Sequence, residues 1–236
     1  MKRIKFYYQT FLIILSVLKH GIKSLLQSKS IKFYKIPPQF GNSILKIAKI
    51  KPNIIGIENV DLNENYVFVA NHTSLFDIPI LQAKIPVNFR MIYKKELEKI
   101  PFFGLVLKKS PYISIIREES KNAMESINQA IESIKTGTSV VIFPEGTRSK
   151  DGQLQEFKRG AFLLAARAGK PIIPITIIGT DKILPKGKLE FNSGEITVIF
   201  DKPIPVNQEI SRKEEKELIS KIFNIMSENL NKYQNN

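Results

Sequence analysis

His72, one of two histidines in this 236-residue chain, leaves an apolar run, Tyr66-Val67-Phe68-Val69-Ala70, and is followed five positions later by Asp77. Imidazole is the side chain whose ordinary charge change lies closest to neutral pH, and an adjacent carboxylate selects which ring nitrogen carries the proton. The pair is the smallest constellation that can abstract a proton near neutrality. On one continuous helix, residues five apart point about 140° away from each other. His72 and Asp77 therefore meet only if His72 sits in the turn before a helix and Asp77 in its first turn. Thr73 or Ser74 can cap that helix, Asp77 stands three residues after Ser74 as in a capping box, and a carboxylate suits a helix N-terminus. Pro79 is tolerated near a helix start. A capped helix beside a merely structural loop histidine is the plainer alternative.

Three further stretches carry reactive or charged groups at element ends. Phe143-Pro144-Glu145-Gly146-Thr147-Arg148-Ser149 ends an apolar run at a proline and then turns on a glycine. Main-chain N–H groups of such a turn, joined by a guanidinium, cradle a phosphate or carboxylate. Tyr112-Ile113-Ser114-Ile115-Ile116-Arg117-Glu118 places Arg117 at a strand end, and Tyr93-Lys94-Lys95-Glu96-Leu97 places Lys94 at another. Strand ends are where α/β folds hold their sites. A rim salt bridge and solvated lysines are the plainer readings of those two.

The elements that must position these residues are legible as alternation. Strands are expected at 54–60, 66–70, 89–93, 112–116, 140–143, 171–178 and 196–200, and helices at 74–83, 95–108, 121–135, 157–168 and 208–230. Runs such as Val140-Val141-Ile142-Phe143 are apolar at consecutive rather than alternate positions, which implies burial on both faces. The expected fold is α/β, with a mixed, mostly parallel central sheet covered by helices. Lys35-Ile36-Pro37-Pro38-Gln39-Phe40-Gly41-Asn42 reads as a break, with a short amphipathic helix or an approach to a strand after it.

Charge separates the N-terminal 50 residues from an α/β unit spanning 51–236. Eleven of the 36 Lys and Arg, and none of the 22 acids, precede Glu58, so residues 1–57 carry +11 of the formal +14. The partner this arm implies is anionic. Its pattern, basic Met1-Lys2-Arg3-Ile4-Lys5 before aliphatic Phe11-Leu12-Ile13-Ile14-Leu15 and then spaced lysines, suits a helix over residues 6–27 lying in the interface of an anionic membrane. Nucleic acid is disfavoured, because an aliphatic run offers bases nothing to stack on. The run from Ile4 to Leu18 is shorter than the ~20 residues that span a bilayer, and no small-residue cleavage site follows it. The chain has no cysteine, which excludes disulfides, thiolate metal sites and a cysteine nucleophile. No metal site is expected.

In order and spacing these residues resemble the glycerolipid acyltransferase family that includes the 1-acylglycerol-3-phosphate acyltransferases. The Asn-His-x4-Asp block is matched by Asn71, His72 and Asp77; a Lys-x-Glu-Leu to Ile-x-Arg block by Lys94, Glu96, Leu97 and Arg117. The Phe-Pro-Glu-Gly-Thr-Arg-Ser block is present unchanged over 143–149, and a strand proline between aliphatics is matched by Pro174. The resemblance covers about residues 60–185 and implies His72 as general base held by Asp77. It implies Glu145, Gly146, Thr147 and Arg148 as the glycerophosphate site, with Lys94 and Arg117 as additional cations and Asn71, Pro144 and Pro174 in support. The implied reaction moves an acyl group from acyl-CoA or acyl-carrier protein to the sn-2 hydroxyl of lysophosphatidic acid, giving phosphatidic acid with no cofactor. With a soluble donor, the enzyme is expected at the cytoplasmic face of the cell membrane, peripheral or monotopic. No acyl-enzyme is needed: Gly137-Thr138-Ser139-Val140-Val141 lacks the second glycine of a nucleophile elbow. The alternatives are another lysophospholipid or lyso-aminolipid acceptor and, from a different class, a non-catalytic basic protein binding membranes or nucleic acid.

Overall fold

The computed structural model describes residues 2–115, 120–184 and 194–234. Two helices, α1 (Lys2–Gln27) and α2 (Ile36–Ala48), precede the strands and are joined by a 3-10 turn, Ile31–Lys35. The region read from sequence as a break is instead the start of α2. Pro37 and Pro38 occupy its first turn, where a missing N–H costs nothing. Strand β1 (Asn53–Ile55) is followed by β2 (Val67–Ala70), α3 (Asp77–Lys84) and β3 (Phe89–Lys94). The helix expected over 95–108 is divided at Pro101 into a 3-10 turn, Lys95–Lys99, and α4 (Phe103–Lys109). Next come β4 (Ile113–Ile115), α5 (Ser120–Lys135), β5 (Ser139–Ile142), α6 (Gly160–Ala168) and β6 (Ile172–Ile178). The short α7 (Thr180–Ile183), β7 (Thr197–Phe200) and the C-terminal α8 (Arg212–Gln234) complete the order.

Among the described residues the strands form one sheet in the order β1-β7-β6-β2-β5-β3-β4. Every pairing is parallel except β6 with β7. This is the mixed, mostly parallel sheet the apolar runs imply. All four β2 residues are buried, and they divide by the two-residue period of a strand. Phe68 and Ala70 pack with Ile44 and Leu45 of α2 and Ile80 and Leu81 of α3. Val67 and Val69 face Ile131 and Ile134 of α5, Phe162 and Leu164 of α6, and Ile222 of α8. The sheet is thus a filling between two helical layers, and β2, its central strand, delivers His72.

Pro174 lies inside β6, where a ladder N–H would normally be required. On its β7 side the ladder starts only at Ile175↔Phe200, and Ile172 bridges to Ile204. The partner chain bulges opposite Pro174, and Asp201 N–H reaches the Pro174 carbonyl at 3.0 Å. The proline therefore forfeits no pairing.

Candidate active site

The C-terminal ends of β2, β3 and β5 converge on one side of the sheet and bring three of the sequence blocks together. His72 stands two residues past the end of β2, and its Nδ1 lies 2.7 Å from Asp77 Oδ2. The Thr73 and Ser74 main-chain N–H groups also donate to that oxygen, each at 2.8 Å. Thr180 Oγ1 donates to Oδ1 at 2.6 Å. Asp77 is fully buried (0% side-chain exposure), while His72 keeps 15%. A buried carboxylate with four donors stays put. With Nδ1–H given to Asp77, Nε2 is the nitrogen left to accept a proton. The capping box inferred from Ser74 and Asp77 is half formed: the Asp77 carboxylate accepts the Ser74 N–H, but Ser74 Oγ takes the N–H of Phe76 rather than that of Asp77. Asp77 is itself the first helical residue and reaches backwards, while Ser74 Oγ accepts from Phe76 N–H (3.2 Å) and donates to the Leu184 carbonyl (2.8 Å).

The 143–155 segment grips the same histidine. The Phe143 ring stacks on the His72 imidazole with centroids 4.0 Å apart and planes 16° from parallel. His72 N–H donates to Glu145 Oε1 at 2.7 Å, and the His72 carbonyl accepts from Ser149 N–H at 2.8 Å. Glu145 Oε2 accepts the Gln155 N–H at 3.1 Å. Glu145 is buried, and burial pushes its carboxyl up to about 7. Both of its oxygens thus serve the main chain; neither is turned toward the open side of the turn. Gly146 takes the left-handed φ of +75° that the turn requires. Thr147 Oγ1 reaches Gln155 Oε1 at 3.4 Å. The Pro144 carbonyl accepts the Lys158 N–H at 2.9 Å.

Asn71 does not face the opening. It is buried and exchanges two hydrogen bonds with the Ile177 main chain (2.7 and 2.9 Å), so it continues the β2–β6 pairing past the strand end. Lys94 stands at the end of β3, half exposed and 3.3 Å from Glu96. Arg117 lies outside the described residues. The residues that sequence reasoning missed are the supports: Phe143, Ser149, Gln155 and Thr180. Only Thr180 is distant from every motif; the others lie within or just beyond the 143–149 block.

His72, Gly146, Thr147, Arg148 and Lys94 share the wall of one cavity of about 750 Å³. From them it extends under α3 and α4 to α1 and α2, where Phe33, Phe40, Met91, Phe102 and Val106 make it apolar. One end therefore offers cations and a base, the other an apolar sleeve, a combination that suits an amphiphile with an anionic head.

The comparisons agree with that chemistry. The profile of the family described as Acyltransferase matches residues 51–178. A chloroplastic 1-acyl-sn-glycerol-3-phosphate acyltransferase of Arabidopsis thaliana is 36% identical over 197 residues, which are 83% of this chain and 55% of the relative. This chain thus spans about half the length of the plant relatives it matches. The 1-acyl-sn-glycerol-3-phosphate acyltransferase of Borreliella burgdorferi is 32% identical over 176 residues, 75% of this chain and 70% of that one. The crystal structure of the 1-acyl-sn-glycerophosphate (LPA) acyltransferase PlsC from Thermotoga maritima superposes with a TM-score of 0.80 at 26% identity, covering 98% of this chain and 96% of that one. Matched in sequence across its central sheet and in fold along nearly its whole length, the chain belongs to the acyltransferase family.

Proposed function

We propose that this protein is a 1-acyl-sn-glycerol-3-phosphate acyltransferase working at a membrane surface, with His72 and Asp77 as its general-base pair. The observation that carries the reading is the His72 ring, fixed by a buried carboxylate and opening into a cavity with an anion-seeking end and an apolar end. Nε2 takes the proton of the sn-2 hydroxyl of lysophosphatidic acid, and the oxygen attacks the carbonyl carbon of an acyl thioester. As the C–S bond breaks, the same proton passes from Nε2 to the leaving sulfur, so the donor leaves as a free thiol and the base ends the cycle unchanged. Acyl transfer from a thioester to a hydroxyl calls for no cofactor. Gly146, Thr147, Arg148 and Lys94 serve the phosphate, and the acyl chain lies in the apolar sleeve. Glu145 acts differently from the other members of its block: its carboxylate would repel a phosphate, and its two oxygens hold His72 and Gln155 instead. The donor is acyl-CoA or acyl-carrier protein, so the site faces the cytoplasm, and the basic arm of residues 1–50 rests on anionic lipid.

Supplying lysophosphatidic acid with labelled acyl-CoA or labelled acyl-carrier protein tests this directly. Labelled phosphatidic acid is the expected product, and His72→Ala should lower its rate by about 10²–10⁴-fold. No product with either donor, or full activity in the variant, refutes the assignment. Competing acceptors in the same assay rank lysophosphatidic acid against other lysophospholipids.

A further inference from the structure

The apolar part of the cavity contains two polar side chains that the proposed chemistry does not use. His20, the second histidine, and Ser24 lie four residues apart on α1 and so on one face of it. Both line the cavity, and both are more than nine-tenths buried, at 8% and 6% exposure. His20 Nδ1 lies 2.8 Å from the Ser16 carbonyl, which can only accept. Nδ1 is therefore the donor nitrogen, and Nε2 is left to face the cavity. The ring is held from behind as well: it meets Phe40 edge-on at 5.7 Å, and Ser16 Oγ donates to Ser43 Oγ of α2 at 3.0 Å. Among the described residues, neither His20 Nε2 nor Ser24 Oγ has a protein partner.

Other polar groups in this wall are engaged. Gln82 Nε2 donates to Tyr112 OH at 3.2 Å, Ser110 Oγ to the Leu107 carbonyl at 2.7 Å, and Tyr93 OH to Glu98 at 3.0 Å. Gln82 Oε1 lacks a donor too, but it is sealed from the cavity. His20 and Ser24 thus stand as an acceptor and a donor–acceptor, side by side and unused, among aromatic and aliphatic groups. Leaving such groups unpaired in an apolar wall is costly, and a native fold retains them where something polar completes them.

We propose that His20 and Ser24 form a polar subsite for a hydroxyl carried on the acyl chain. The hydroxyl donates to His20 Nε2 and accepts from Ser24 Oγ, so the enzyme favours hydroxylated acyl donors over unsubstituted ones of equal length. This rests on the cavity holding the acyl chain, as the proposed function requires.

The test compares wild type, Ser24→Ala and His20→Leu with paired thioesters of one chain length, with and without a hydroxyl placed along the chain. The readout is the ratio of kcat/KM for the two donors. The expected result is a wild-type preference for one hydroxyl position that falls about tenfold in His20→Leu and severalfold in Ser24→Ala. A tenfold loss corresponds to about 1.4 kcal/mol. Displacement of a fluorescent fatty acid by hydroxylated and plain fatty acids reads the same subsite without turnover. If wild type makes no phosphatidic acid, the acyl-transfer reading fails, and the displacement ratios still decide the subsite. Ratios that are equal in wild type and both variants, in turnover or in displacement, mean that the pair holds ordered water only and overturn the proposal.

Discussion

The proposed role of His72 as general base has two requirements, a proton on the right nitrogen and a ring that does not wander. Asp77 meets the first through Nδ1, and the 143–155 segment meets the second through Phe143, Glu145 and Ser149. Glu145 is the joint between the two, which predicts a specific kinetic outcome. Glu145→Gln replaces one accepting oxygen with an NH₂ that faces a main-chain N–H. It should lower kcat by one to two orders of magnitude while changing the KM for the acceptor little. A rise in KM at constant kcat would mean that Glu145 touches substrate instead. Burial also sets the sign of its pH effect. A carboxyl raised to about 7 in the folded protein, from an ordinary value near 4.5, binds more protons folded than unfolded between those limits. Its contribution to stability is full below the unfolded value and is lost as pH rises to about 7. Asp77 and Asp151 lie close enough to push the same way. Melting curves from pH 5 to 8 should show wild type losing ground to Glu145→Gln as pH rises. The sequence presented His72, Asp77 and the 143–149 block as reactive, because residue type and spacing are visible there. It could not show that Glu145 turns inward, since a side chain's direction at a glycine turn depends on which main-chain donors the fold brings to it.

At the scale of elements, strands were legible wherever both faces are buried, because such segments have no polar register to confuse the reading. β2, β5 and β6 fall within a residue or two of where their apolar runs place them. Helices near prolines were not. Pro37 and Pro38 read as a break but start α2, and Pro101 divides a segment whose periodicity looked continuous. After it Phe102 has φ +59°, a conformation strained for a bulky residue. The position where α2 meets α3 was likewise hidden. A Cβ on Gly41 would collide with the Pro79 carbonyl and come within 2.7 Å of the Ala83 nitrogen, so glycine lets the two helices touch backbone to backbone. Since α3 begins with Asp77, spacing at Gly41 is spacing at the carboxylate of the proposed base pair. Gly41→Ala should destabilise by about 1–3 kcal/mol, the usual cost of overpacking. That is a fall of several degrees in Tm for a chain this size. Activity measured well below the new Tm should fall further than the loss of folded protein explains. Unchanged activity and Tm would show that α2 shifts freely on α3.

For the molecule as a whole, the proposed function raises the question of how a lipid reaches His72 at the inner end of the cavity. On α1, Tyr7, Phe11, Ile14, Leu18, Ile22 and Leu26 recur at helical spacing and are exposed, while Ser16, His20 and Ser24 of the same helix are buried. The helix therefore has its apolar stripe outward and its small polar stripe inward, the reverse of a helix packed on a soluble core. Residues 6–27 are long and apolar enough to cross a membrane by length and composition, yet α1 packs along α2 and α4 and lines the cavity that holds His72. A helix held in this way is suited to lie in one leaflet and open the cavity sideways to lipid. The lysines of the first 57 residues add attraction to anionic headgroups, about 1 kcal/mol for each one near the surface. Two independent forces give two separable predictions for co-sedimentation with vesicles containing anionic lipid. Raising salt should weaken binding without abolishing it, because screening removes only the charge contribution. Phe11→Asp with Ile14→Asp should weaken it at every salt concentration, since the apolar stripe is interrupted while the +11 arm is reduced only to +9. If the doubly substituted protein bound vesicles as well as wild type at high salt, the outward stripe would not be the lipid-facing surface, and the sideways entry of substrate would have to be given up.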